Sequence, residues 1–243
     1  MYHVTGFPRI FSFHFPVAFA FLVSLLASSG AVAQSKNLAP GFQALPQGAK
    51  VVIMPTDIEL FSISAGGIPE PRADWTEIAT KHFKAALVEK KKSLGATTVD
   101  LSEKDADEFE EINVLHGAVA RAINIHHFGP GFMALPTKDG KLDWSLGDPV
   151  RRIKERTGAD YALFSWERDS YASGERVVAM IALAAFGVGV PGGTQVGYAS
   201  LVDLNTGQVL WFNSLLRAWG DLREADKATE SLNALMQGSP GSK

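Results

Sequence analysis

The chain has no cysteine among its 243 residues, which excludes disulfide staples, thiolate metal sites and thiol redox chemistry. It has no surplus of positive charge either. Its 23 Lys and Arg face 26 Asp and Glu, for a net charge of −3, so nucleic acid is not an expected partner. An uninterrupted run of bilayer-spanning length is also missing. The most apolar stretch, residues 10–26, is broken at Ser12, His14 and Pro16, which suits a signal-peptide h-region better than a membrane span. Because no cysteine follows that stretch, the usual lipid-attachment residue is absent.

What the N-terminus does carry is the pattern of an export signal. One positive charge, Arg9, precedes the apolar stretch, which runs out in Ala27-Ser28-Ser29-Gly30-Ala31-Val32-Ala33. Cleavage after Ala33 fits the small-x-small rule, so residues 1–33 are expected to be removed and the mature chain to be periplasmic. Retention as an inner-membrane tether is the alternative. Cleavage takes one of the 23 basic residues and none of the 26 acidic ones, which leaves a net charge of −4. About 210 residues remain, enough for one domain whose core suffices without disulfides.

Along the mature chain, Pro40, Gly41, Pro46 and Gly48 stand without apolar periodicity, which predicts an extended leader over residues 34–49. The domain is expected over 50–237, with 238–243 a disordered tail. Val51-Val52-Ile53-Met54, stopped by Pro55, reads as a strand covered on both faces. Residues 58–63 read as a second, more exposed strand. Asp74 and Glu77 form a capping-box-like pair ahead of Trp75, Ile78, Ala79, Phe83, Ala86 and Leu87 at helical spacing, a helix ended by Gly95. Residues 97–101 read as a short strand, and Ser102 as the cap of one long helix over 103–126. A small hairpin is expected around Lys138-Asp139-Gly140-Lys141. Asp148-Pro149 opens a short helix that Gly158 closes, and 161–166 is a central strand. Two further strands, 196–204 and 208–216, are joined by the turn residues Asn205-Thr206-Gly207, and a helix over 222–236 closes the domain. The pattern predicts an α/β (α+β) fold, a mixed β-sheet flanked by helices with a C-terminal β-hairpin and terminal helix.

Candidate chemistry is sparse. Gly187-Val188-Gly189-Val190-Pro191-Gly192 matches G-x-G-x-x-G, but a strand and not a helix follows it, and Pro191 removes an N–H that phosphates would need. No dinucleotide or other cofactor is therefore expected. His116, His126 and His127 invite a metal reading, yet His116 and His127 lie eleven residues apart on a helix, roughly 16 Å, too far to share one ion. The acidic run Glu103, Asp105, Asp107, Glu108, Glu110 and Glu111 lacks the glycine and terminal glutamate of a calcium loop and suits a helix's first turns. Glu167, Arg168 and Asp169, with Ser173 beyond them, leave the central strand at its carboxyl end, where α/β sheets place ligands. These four are the ligand-binding candidates, against the reading of an ordinary strand-to-loop junction. Residues 177–190 are apolar without clear period, so helix and strand are both open. Val177, Met180, Ile181 and Phe186 in this stretch are candidates for membrane or partner contact, although an apolar run of this length is more often core.

The opening strand Lys50-Val51-Val52-Ile53-Met54-Pro55, the block Gly158-Ala159-Asp160-Tyr161-Ala162-Leu163 and the hairpin running from Ala199 through Asp203-Leu204-Asn205-Thr206-Gly207 to Trp211 carry a resemblance. In these blocks the chain resembles the envelope accessory domains of the CsgG-like (curli secretion channel) superfamily. The resemblance covers about half of the mature chain in scattered blocks. It implies a mixed α/β periplasmic domain that assembles with itself or with outer-membrane partners and has no catalytic residues to carry over. Two features depart from the family, whose members are usually lipoproteins: the missing cysteine and the 177–190 insert. The expectation is a non-enzymatic periplasmic cell-envelope or secretion accessory acting through protein–protein assembly. A periplasmic enzyme or small-ligand binder at the end of the 161–166 strand is the alternative, and peripheral membrane contact through 177–190 a third.

Overall fold

The computed structural model describes residues 35–91, 96–99, 101–218 and 220–241. The signal-like residues 1–33 and the expected helix end at Gly95 lie outside the described residues. Among the described residues seven strands form one mixed sheet: β1 (Lys50–Ile53), β2 (Asp57–Ile63), β3 (Pro69–Pro71), β4 (Thr97–Val99), β5 (Tyr161–Ala172), β6 (Gln195–Asp203) and β7 (Val209–Arg217). The helices are α1 (Ala73–Lys91), α2 (Glu103–Glu108), α3 (Glu110–Ile123), α4 (Arg151–Thr157), α5 (Gly174–Ala184) and α6 (Ala225–Leu235).

Strand β5 is the axis of the sheet. On one edge it pairs antiparallel with β6, which pairs with β7. On the other edge it pairs in parallel first with β1, Val51 opposite Tyr161, and then with β2, Asp57 opposite Trp166. Three residues, Met54-Pro55-Thr56, therefore stand opposite two, Phe164 and Ser165, a bulge-like step in one long edge. The step is pinned by the Thr56–Ser165 hydroxyl pair at 2.7 Å and by Asn113, whose amide donates to the Pro55 carbonyl at 2.9 Å.

Both faces of the sheet are covered, which is why β1 and the first half of β5 read as nearly continuous apolar runs. On one face Val51, Leu60, Leu163, Leu201 and Trp211 pack with Phe83 and Leu87 of α1 and Leu232 and Leu235 of α6. On the other, Val52, Phe164, Val202 and Phe212 pack with Phe109, Ile112 and Ile123 beside α3 and with Ile153 of α4. Each fully buried side chain of this size contributes roughly 1.5–3 kcal/mol.

Several local expectations are revised by packing. The 103–126 helix breaks at Phe109, whose backbone leaves helical geometry as its ring enters the core, and ends in a wider π-turn, Asn124–Phe128. Asp74 does not cap α1; it sits in the first turn and pairs with Arg72 at 2.6 Å. Residues around Lys138–Lys141 form a 3₁₀ turn with Asp139 and Gly140 in the left-handed region and no strand pairing. No apolar alternation flanks that turn to make a hairpin worth burying. The leader is a working part of the domain: Ala39 and Leu45 are buried, and residues 37–39 exchange backbone hydrogen bonds with Phe212 and Leu210, covering the start of β7's outer edge. The opposite edge ends in β3, whose Pro69 and Pro71 blunt it against further pairing.

The β6–β7 turn shows why its glycine is required. Gly207 has φ +74°, and a Cβ there would stand 2.4 Å from the Gly147 carbonyl oxygen. Gly207→Ala should lower unfolding free energy by more than about 1 kcal/mol. Gly41→Ala, at φ +80° but facing open space, should cost less. Urea unfolding measures both; a Gly207→Ala chain as stable as the parent would contradict the turn geometry.

Candidate interaction site

Past Trp166, β5 outgrows β1 and carries two different arrangements on its two faces. Glu167, Asp169 and Tyr171 point under α6 and α1, whereas Arg168 points the other way. Arg168 pairs with Asp57 at 2.8 Å and Glu59 at 3.2 Å and lies over the Trp166 ring at 4.4 Å. Ser173 is the N-cap of α5, its hydroxyl accepting from the Arg176 N–H at 3.2 Å. The four sequence candidates therefore do not form one site. Alternation along the strand separates Arg168 from its neighbours, and capping occupies Ser173.

Glu167 and Asp169 are brought together but sealed, with 0% and 2% of their surface exposed. The Asp169 carboxylate accepts from the Tyr171 hydroxyl, from Gln195 Nε2 at 3.0 Å and from the Ser170 N–H at 2.9 Å. Gln195 Oε1 in turn accepts from Arg217 Nε at 2.6 Å and from Ser231 at 3.1 Å, and Arg217 reaches Glu230 on α6 at 3.0 Å. At the surface end Arg223 lies over Tyr171 at 3.9 Å and over Trp75 at 4.5 Å. Neither Glu167 oxygen has a hydrogen-bond partner among the described residues. The carboxyl sits where a Cβ on Gly197 would be 2.6 Å from Oε1, so that glycine makes room for it. Burial pushes the Glu167 carboxyl well above its usual range, with Asp169 adding to the rise and Arg217 opposing it. Burial raises Asp169 to about 6 against the pull of its hydrogen bonds. Gln195, Arg217 and Ser231 were silent in the sequence; the only trace is that Gln195 and Arg217 share the inward parity of their strands.

The chain then leaves the sheet in α5, which refutes a core role for 177–190: no residue of α5 is buried. Val178 and Ile181 are 68% and 67% exposed, Phe186 85%. Val177 is also exposed, while Met180 is half-buried beside Gly192. The helix is nevertheless well made. Ser173 caps its start, Glu175 sits in its first turn, and Arg176 ties its base to the carbonyls of Ser64 and Pro191. At its end the Val188 N–H bonds to Leu183 O and the Gly187 N–H to Ala184 O, with Gly187 at φ +78°. This is a Schellman cap. The first glycine of the G-x-G-x-x-G stretch thus closes a helix and does not open one. From 177 to 186 the sequence Val-Val-Ala-Met-Ile-Ala-Leu-Ala-Ala-Phe is apolar on every side, a composition ordinarily found in helices buried all round.

The three histidines have separate partners. His116 is buried, stacked on Phe164 at 4.8 Å and bonded to Ser200 at 2.9 Å, and burial pushes it down to about 3. His126 bonds the Met133 carbonyl and His127 that of Lys36, each at 2.8 Å. Among the described residues no group of three or more His, Asp or Glu is placed to hold a metal ion, and no helix is long and apolar enough to cross a membrane.

No protein-family model matches the chain, and no curated protein is similar to it. Among solved structures it is similar to the PelC dodecamer from Paraburkholderia phytofirmans, with 12% identity over 80% of this chain and 90% of that one and a TM-score of 0.34. It is similar to lipoprotein GNA1162 from Neisseria meningitidis at 14% identity over 69% and 81%, TM-score 0.30. To the LpoB C-terminal domain from Escherichia coli it is 12% identical over 74% and 89%, TM-score 0.29. Scores this low transfer no function, which has to be read from the residues themselves.

The buried pair has a signed consequence. A carboxyl whose folded pKa is raised binds its proton more tightly in the folded chain, so its contribution is full below the unfolded value of about 4 and is lost as pH rises through the folded value. Wild-type stability should therefore fall as pH rises above about 4, through about 6 on account of Asp169 and further on account of Glu167. Glu167→Gln removes one of these titrations and should raise stability at pH 7.5 by about 1 kcal/mol or more. Urea unfolding at several pH values tests this; an unchanged pH slope would contradict it.

Proposed function

We propose that this chain is an exported cell-envelope accessory protein that acts by docking other envelope proteins, with α5 as its docking element and no catalysis of its own. The observation that carries this reading is α5 itself: a helix capped at both ends, stapled at its base by Arg176, and apolar all round yet without a buried residue. A protein does not ordinarily hold that much apolar surface in water without a partner for it. The export-type N-terminus supports the envelope setting.

A protein partner suits α5 better than a lipid surface. Helices that lie in a membrane interface have a strongly charged face rich in Lys and Arg, whereas residues 177–190 contain no charged residue. Ala179, Ala182, Ala184 and Ala185 between the larger side chains let another backbone approach closely. The sealed Glu167–Asp169 pair supports the non-enzymatic side of the reading, because two neighbouring carboxylates do acid–base work only where a substrate reaches them.

The test is in-cell crosslinking followed by size analysis of the envelope fraction, with wild type beside Val178→Glu/Ile181→Glu. Both sites are exposed, so the variant should fold with stability within about 0.5 kcal/mol per substitution. Wild type should be recovered in crosslinked complexes and the folded variant as the single chain. Complexes that survive the double substitution, or a wild type that crosslinks to nothing, would overturn the proposal.

A further inference from the structure

The outer edge of the β1–β2 run is incompletely covered. Strand β4 pairs with β1 only over Lys50 to Val52, and β3 with β2 only over Phe61 to Ile63. Leu60 finds its partners in Thr76 and Arg72. The ledge from Ile53 to Ile58, which contains the step at Pro55, has neither strand beside it. A cleft of about 560 Å³ fills this gap, between the C-terminal half of α1 and the first turn of α2. It lies at the carboxyl ends of the parallel strands β1 and β4, the end of an α/β sheet at which ligands bind, and its size is that of a small-molecule site.

The lining has a definite chemistry. Helix α1 contributes Thr80, Lys84, Leu87, Val88 and Lys91, spaced i, i+4, i+7, i+8 and i+11 along one stripe. The floor and far wall are mostly apolar, with Ile53, Met54, Ile58, Leu101 and Ala106, and the hydroxyls of Thr56 and Ser102 interrupt them. Among the described lining residues two lysines stand at the cleft and no carboxylate does. The hydroxyls of Thr56 and Ser102 are already engaged, with Ser165 and with the Asp105 carboxylate. Among its described residues the slot is thus greasy, with Lys84 exposed at its lip.

An added peptide strand fits it poorly. Strands β4 and β3 stand in line at the two ends of the gap, so a through-running chain would meet them, and Pro55 has no N–H to offer on the ledge. A single alkyl chain needs no backbone partners, and a compact anionic head pairs with the exposed Lys84. We propose that this cleft binds a long-chain carboxylate, a free fatty acid, with its alkyl chain against Ile53, Met54, Leu87 and Val88 and its carboxylate at the Lys84 side. The site is independent of α5.

Calorimetric titration of the exported chain, purified without detergent, with decanoate and with decyltrimethylammonium tests this. The folded state of each variant is checked by circular dichroism. Decanoate should bind saturably at one site, and decyltrimethylammonium, with the opposite head charge, about tenfold more weakly. Lys84→Glu should weaken decanoate by about tenfold as well, and Val88→Glu should abolish it. Val178→Glu on α5 should leave it unchanged. Both cleft positions are exposed, so these variants are expected to fold. Absence of saturable decanoate binding, equal affinity for the two head charges, or loss of binding on Val178→Glu but not on Val88→Glu would each overturn the proposal.

Discussion

The pairing of β5 on both of its edges is the constraint from which the rest follows. Residues 161–169 of one strand are held by β6 along one side, while β1 over 161–163 and β2 over 166–172 run end to end along the other. The first half of the strand, so placed, has no solvent edge, and α1, α3 and α6 leave it no solvent face. Apolar side chains dominate there, Ala162, Leu163 and Phe164 all being buried, and the buried Ser165 is satisfied by Thr56. The one-residue mismatch at Met54-Pro55-Thr56 lets two short strands serve one long neighbour. It also opens the outer edge, where β4 and β3 each reach only part of the way.

The second half of β5 departs from this rule. Glu167 and Asp169 bring two carboxyls into a space shared with Gln195, Arg217 and Ser231. One oxygen pair has no hydrogen-bond partner among the described residues, an arrangement that an apolar substitution would relieve. Beyond it the strand runs on to Ala172, paired there with β2, and hands the chain to Ser173, so α5 is mounted directly on the sheet. On the docking role proposed for it, the helix is presented in one orientation, which lowers the ordering cost of association.

How much of this the sequence disclosed depends on whether the determining contacts are local. The β6–β7 hairpin was legible because Asn205-Thr206-Gly207 specifies its own turn, and Val51 to Met54 because burial on both faces writes itself as an unbroken apolar run. The break at Phe109 was not legible, since a ring drawn into a distant core leaves helical periodicity intact. The sequence groups Glu167 and Asp169 with Arg168 and Ser173, but their contacts in the fold are others. Arg168 and Ser173 are near them in sequence, whereas the true partners come from β6, β7 and α6. Residues 177–190 carry no period because a helix that is apolar on all sides has none.

Amide hydrogen exchange on the dilute, monomeric chain measures this account most directly. Amides of β5 from Ala162 to Asp169 should exchange only through global unfolding, while those of α5 from Val177 to Ala184 should open locally and exchange at least about a hundredfold faster. Protection in α5 equal to that of β5 would mean the helix is packed into the domain after all, and would contradict the account.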